Sequence, residues 1–119
     1  MTLARSAFAP RKKNSKRADE DRRFPSHLGW LRKRPCLIEG RGGHVCSGDM
    51  EAHHVNEGNG GMGLKTFDYE AVPVCSAAHI EVHCGKRTFE DRYRLNLEQC
   101  ARDYAKASPH RHQWEQGNG

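Results

Sequence analysis

Two neighbouring histidines, His53 and His54, are followed 21 residues later by Cys75-Ser-Ala-Ala-His79-Ile-Glu-Val-His83. If the stretch after Cys75 is helical, His79 and His83 stand at i and i+4 on one face, where both imidazoles can meet one metal ion. His53 lies in Glu51-Ala-His-His-Val55, which reads as a short strand and offers a third nitrogen. Three protein ligands with one open position suit a catalytic metal better than a structural one. His54 then stands beside the metal without binding it, able to move a proton. Any one of these histidines alone reads as an ordinary exposed or hydrogen-bonded side chain. The chemistry lies in the arrangement of four.

Several elements must position them. Ser26 is placed to cap a short helix running through Lys33 and ending before Pro35, with Trp30 and Leu31 as its anchors. Cys36-Leu-Ile38 begins a strand, Glu39 to Gly43 turns, and His44-Val-Cys46 can return antiparallel. Met50 to Val55 is the next extended segment, followed by a glycine-rich loop from Asn56 to Asp68. So many glycines let backbone approach a ligand closely, and they also describe any mobile loop. Ala71 to Cys75 leads into the histidine helix, which Gly85 stops. Thr88-Phe-Glu-Asp91 reads as a capping box, and Asn96 as a second cap. Leu97, Cys100, Ala101 and Tyr104 then share a face at helical spacing and are core. The end, His110 to Gly119, reads as frayed.

Composition limits the rest. A chain of 119 residues with 35% hydrophobic side chains has room for one small core, which metal or oligomerisation must supplement. The net charge is +5, unevenly spread: residues 1–34 hold eleven Lys and Arg against three acids, residues 35–119 nine against twelve. The basic surplus points to a polyanion. Residues 1–23 read as a disordered basic tail, 24–108 as the folded domain and 109–119 as a second tail. No secretory h-region precedes Pro10, and no run approaches the ~20 apolar residues of a membrane span. Five cysteines, an odd number without an export signal, argue for thiols or metal ligands in a reducing, cytoplasmic compartment.

A strand with a histidine pair, a loop, then a helix bearing H-x-x-x-H resembles the HNH, or ββα-metal, nucleases. Gly61-Met-Gly-Leu-Lys65-Thr-Phe-Asp68, Val72-Pro-Val-Cys75, Phe89-Glu-Asp-Arg-Tyr93 and Leu95-Asn-Leu97 extend the likeness to the phage and prophage branch. That branch includes the phage recombination-enhancement nuclease. The resemblance covers roughly residues 27 to 107. It implies an α+β fold: a small, treble-clef-like ββα-metal domain with flanking helices. By resemblance His53, His79 and His83 hold one divalent ion (Mg, Mn, Ni or Zn), and His54 is the general base. The middle residue of the motif, usually Asn or His, has no match before Cys75. Asp68 or Glu70 must fill that place or it is unfilled, with Asp68 preferred. Many members also carry a structural zinc on two cysteine pairs. Here Cys36, Cys46 and Cys75 fit, but Ala78 stands where the fourth ligand is expected. Cys84, Cys100 or His44 is left to replace it, or the site is vestigial.

The implied reaction is hydrolysis of a phosphodiester, with His54 taking a proton from water and Asp68 or a backbone carbonyl fixing its tautomer. Lys65 is placed to touch a non-bridging oxygen, and is equally readable as an exposed loop lysine. Arg11, Lys12, Lys13, Lys16 and Arg17 would hold DNA through phosphates, without a recognition helix to read sequence. The expected partner is therefore single- or double-stranded DNA, or a recombinase-DNA filament. A zinc-stabilised nucleic-acid-binding module without catalysis is the alternative. His54 discriminates, since such a module has no use for an unliganded histidine beside its metal. A third possibility, an accessory protein that contacts a recombinase, leaves no readable trace.

Overall fold

The computed structural model describes residues 22–55 and 66–115. The basic residues Arg11, Lys12, Lys13, Lys16 and Arg17, and the loop residue Lys65, lie outside them. In chain order come helix α1 (Pro25–Arg32), strands β1 (Met50–His54) and β2 (Ala71–Cys75), helix α2 (Ser76–Cys84), helix α3 (Lys86–Tyr93), helix α4 (Leu97–Ala107) and the single turn α5 (His112–Glu115). The architecture is α+β: one two-stranded sheet wrapped by helices.

The strands pair antiparallel, with His53 opposite Val72 and Glu51 opposite Val74. Every residue of β2 is buried. Val72 and Val74 carry the core, which continues through Cys36, Ile38, Ala78 and Val82 to Phe89, Leu97 and Ala101. Pro73 interrupts no ladder because its carbonyl is used instead, accepting the Leu37 amide at 2.9 Å. Helix α1 packs on both strands, α4 on β2, and α2 on both strands and α3. Of the expected stripe on α4, Leu97 and Ala101 are buried in the core and Cys100 and Tyr104 pack against it half-buried, and Asn96 caps that helix by accepting the Gln99 amide at 2.8 Å.

Four local expectations need correction. Ser26 is not the cap of α1: Pro25, with φ already set for a helix, occupies the first turn and Phe24 precedes it. Thr88 opens no capping box, since α3 begins at Lys86 directly after Gly85. The hairpin of 36–38 with 44–46 does not form. Three successive turns replace it, closed by Glu39 N–H to Cys36 O, Arg41 N–H to Ile38 O and His44 N–H to Arg41 O. This coil keeps Cys36, His44 and Cys46 together. Gly48 is required where this coil meets α2: its φ is +82°, and a Cβ there would lie 2.5 Å from Cβ of Ser76. Finally, the chain end is ordered through α5, where Trp114 packs on Phe24, His27 and Tyr69. Aromatic contact area outweighs the polar composition of that segment.

Candidate metal centres

The β1-β2-α2 unit brings His53, His79 and His83 together. Their ring centroids form a triangle of 5.1, 5.1 and 4.7 Å, and one nitrogen from each lies within 4.8 Å of the others. Tetrahedral imidazole ligands sit ~3.3 Å apart, so modest ring rotation suffices. His53 is 6% exposed, and its Nδ1 is buried with no hydrogen-bond partner. An orphaned buried acceptor of this kind fits a metal ligand. Burial, then the neighbouring His79 and His83, pushes its pKa down to about 4, so the ring is neutral and able to ligate. An open pocket of about 340 Å³, lined by Glu51, Ser76, His79, Ile80, His83 and Cys84, gives access.

Glu51 was missed by sequence reasoning. Its Oε1 bonds His79 Nδ1, and its Oε2 accepts from Ser76 Oγ at 2.6 Å. Those two bonds, Ser76 first, hold the carboxyl below its usual range. With Nδ1 engaged by Glu51, Nε2 is the nitrogen His79 has left to offer a metal, the usual carboxylate–histidine device at metal sites. The signal available in sequence was the strand period: Glu51 lies two before His53 and so shares its face.

His54 leaves β1 on the other side. Its Nε2 is 3.0 Å from Asp68 Oδ1, and Asp68 Oδ2 accepts the Phe24 amide at 2.7 Å. Asp68, expected beside His54, is in contact with it. Glu70 instead caps the turn before β2, accepting the Phe67 amide at 2.9 Å.

The cysteines build a second cluster: Cys36, His44, Cys46 and Cys75 offer ligand atoms within 4.8 Å of one another. His44 takes the fourth place that Ala78 cannot fill, with Nε2 3.4 Å from Cys75 Sγ and 4.0 Å from Cys36 Sγ. Cys84 and Cys100 take no part in it. Three sulfurs and one imidazole are a structural zinc donor set, so this Cys/His group could hold a zinc ion. Burial opposes ionisation of Cys75, but hydrogen bonds from the Ser47 and Ala78 backbone and from His44 outweigh it and bring the thiol down to about 6. Cys46, exposed as a whole residue, is pushed up to about 12 by desolvation of its thiol and by the Cys36 and Cys75 sulfurs. Thiols must ionise to bind a metal, so ion binding here would be linked to proton release. Cys100 is half-buried, and burial first, with Asp103 next, raises its thiol.

Residues 10–109 match the family described as "Protein of unknown function (DUF968)", and the chain belongs to that family. It is also similar to "Uncharacterized protein YdfU" of Escherichia coli (strain K12), with 35% identity over 69 residues. That match covers 58% of the chain but only 18% of the relative's length. No solved structure matches the chain. Among the described residues, no helix is long and apolar enough to cross a membrane.

Proposed function

We propose that this chain is an HNH-type metal-dependent endonuclease that hydrolyses DNA phosphodiester bonds without sequence preference, or selects DNA by its structure, in phage or prophage DNA metabolism. The observation that carries the reading is the division of labour between adjacent residues. His53 converges with His79 and His83, while His54 turns to Asp68.

A divalent ion on the three histidines supplies charge neutralisation and Lewis acidity at the leaving oxygen. The chain supplies the rest. Asp68 accepts a hydrogen bond from His54 Nε2–H, the tautomer in which Nδ1 carries the basic lone pair. A water approaching Nδ1 is deprotonated there, a step that typically contributes about 10²–10⁴-fold. Glu51 holds the His79 tautomer, and Ser76 holds Glu51. The zinc-type cluster at Cys36, His44, Cys46 and Cys75 anchors the start of α2 and is scaffold. Lys65 and the basic residues of the N-terminal segment are the proposed phosphate contacts.

The test is incubation of supercoiled and single-stranded DNA with the protein across Mg, Mn, Ni, Co and Zn. Nicking or degradation that His54→Ala abolishes supports the reading. Absence of cleavage with every metal, alongside retained DNA binding, would leave the non-catalytic zinc-stabilised binding module, which the Cys/His cluster alone would favour.

A further inference from the structure

Asp68 is gripped on three sides. His54 Nε2 meets Oδ1, the Phe24 amide donates to Oδ2, and the Asp68 amide donates to Arg22 O at 2.9 Å. Asp68 and Tyr69 occupy the centre of a turn closed by Glu70 N–H to Phe67 O at 2.9 Å. So the carboxylate depends on two separate stretches of chain, residues 22–24 and the 67–70 turn. The hydrogen bonds from Asp68 N–H to Arg22 O and from Phe24 N–H to Asp68 Oδ2 already join the two stretches, and side-chain packing across that seam sets how closely they meet.

Trp114 supplies that packing. Its ring sits 5.3 Å from Phe24 in a T-shaped contact and 5.2 Å from Tyr69, while Phe24 and Tyr69 are 5.8 Å apart. It also meets His27 edge-on at 5.0 Å. His27 is fully buried, and its Nδ1 is 2.9 Å from Ser108 Oγ, which ties the segment leading to α5 onto α1. Aromatic contacts of this geometry favour their observed arrangement beyond area burial alone. Together they are enough to bias where a two-residue turn rests.

We propose that Trp114 is a positioning residue for His54, acting through Phe24 and Tyr69 on the carboxylate of Asp68. The role deepens the nuclease reading, since it concerns the residue that reading makes the base. The distant C-terminal turn α5 thereby belongs to the working site, although it contributes no ligand and touches neither histidine cluster. Misplacing Asp68 by a fraction of an ångström frees the imidazole to adopt the other tautomer. That would remove the basic nitrogen without disturbing the His53, His79 and His83 ligands.

The test uses the full, zinc-loaded chain and compares wild type, Trp114→Ala and Trp114→Phe. Long-range ¹H–¹⁵N spectra of the imidazoles read the His54 tautomer directly, with no need for substrate. The expected result is a single Nε2–H form in the wild type, a tautomer mixture in Trp114→Ala, and recovery in Trp114→Phe. Where cleavage is measurable, kcat should fall about 10-fold with KM and metal content unchanged. An unshifted His54 tautomer in Trp114→Ala would overturn the proposal. So would equal disturbance of His53, His79 and His83, which would mark a merely structural role. If Trp114→Ala does not fold, Trp114→Leu takes its place and the same tautomer signal decides. A wild type that cleaves nothing but shows the Trp114-dependent tautomer would sink the nuclease reading and leave the coupling standing.

Discussion

Cys75 Sγ lies 3.4 Å from His44 Nε2 and accepts the Ala78 amide at the same distance, so one sulfur belongs both to the cysteine cluster and to the cap of α2. The helix it caps carries His79 and His83. The two clusters are therefore in mechanical series: whatever fixes Cys75 fixes the starting angle of the histidine helix.

This gives the first prediction. Cys75→Ser and His44→Ala should each remove one zinc per chain and lower the melting temperature far more than Cys100→Ser. Structural zinc contributes on the order of 10 kcal/mol in small domains, and a domain of this size shifts by about 4–8 °C per kcal/mol. Metal analysis and calorimetry check it. Equal melting temperatures for all three variants, with no zinc lost, would show that the cluster holds no structural ion.

The second prediction separates the histidine pair. His54→Ala should abolish cleavage while metal affinity at the other histidines is retained. His83→Ala should weaken that affinity itself, because it deletes a donor. Isothermal titration with Mn or Zn distinguishes them. Loss of metal from His54→Ala would reverse the assigned roles.

The third concerns Glu51. Glu51→Gln keeps the shape but removes the charge facing His79 Nδ1, and outer-sphere partners of this kind are worth 10–100-fold in metal affinity. Binding at the histidine cluster should weaken by about that factor, with the cysteine cluster still loaded. Unchanged affinity would reduce Glu51 to a helix-start contact.

These assignments show which parts of the site were legible in the sequence. His53, His79 and His83 could be placed because one strand and one helix, each with a fixed period, deliver them. Asp68 could be named only through the family resemblance, as the stand-in for the motif's missing middle residue. His44 remained one choice among three, since turns rather than a ladder bring it to Cys75, and turn paths have no period to read. Glu51 was hidden by its ordinary chemistry, as its role depends on a contact with α2 across the sheet. Trp114 was hidden for a related reason: a polar segment gave no sign that one indole would anchor it.

The fourth prediction concerns the N-terminal segment. Its boundary moves, because Arg22 O and the Phe24 amide already hold Asp68. Removal should therefore stop at residue 21, deleting Arg5, Arg11, Lys12, Lys13, Lys16 and Arg17 with three acids. DNA affinity should fall, and the slope of log K against log salt should flatten because fewer counterions are released. The melting temperature should be unchanged. An unaltered slope would rule this segment out as the DNA contact.

The last prediction is a pH dependence of stability that His27 should impose. Burial, then the proximity of His110, pushes its pKa down to about 4 from 6.5, against the opposing pull of Asp68. The ring is fully buried, stacked on Trp30 and edge-on to Trp114, and its Nε2 has no partner. The unfolded chain therefore takes up a proton below about pH 6.5 that the folded chain refuses until about pH 4. Stability is full above that window, falls as the pH drops through it, and levels off below. At about 1.4 kcal/mol per pH unit, the loss is on the order of 3 kcal/mol. Acid also strips metal from both clusters, so the measurement is a difference: melting temperature from pH 7 to pH 4 for wild type against His27→Phe. The variant loses the Ser108 hydrogen bond and should start less stable, but its descent should be shallower. Parallel descents would mean that His27 is not neutral in the folded chain.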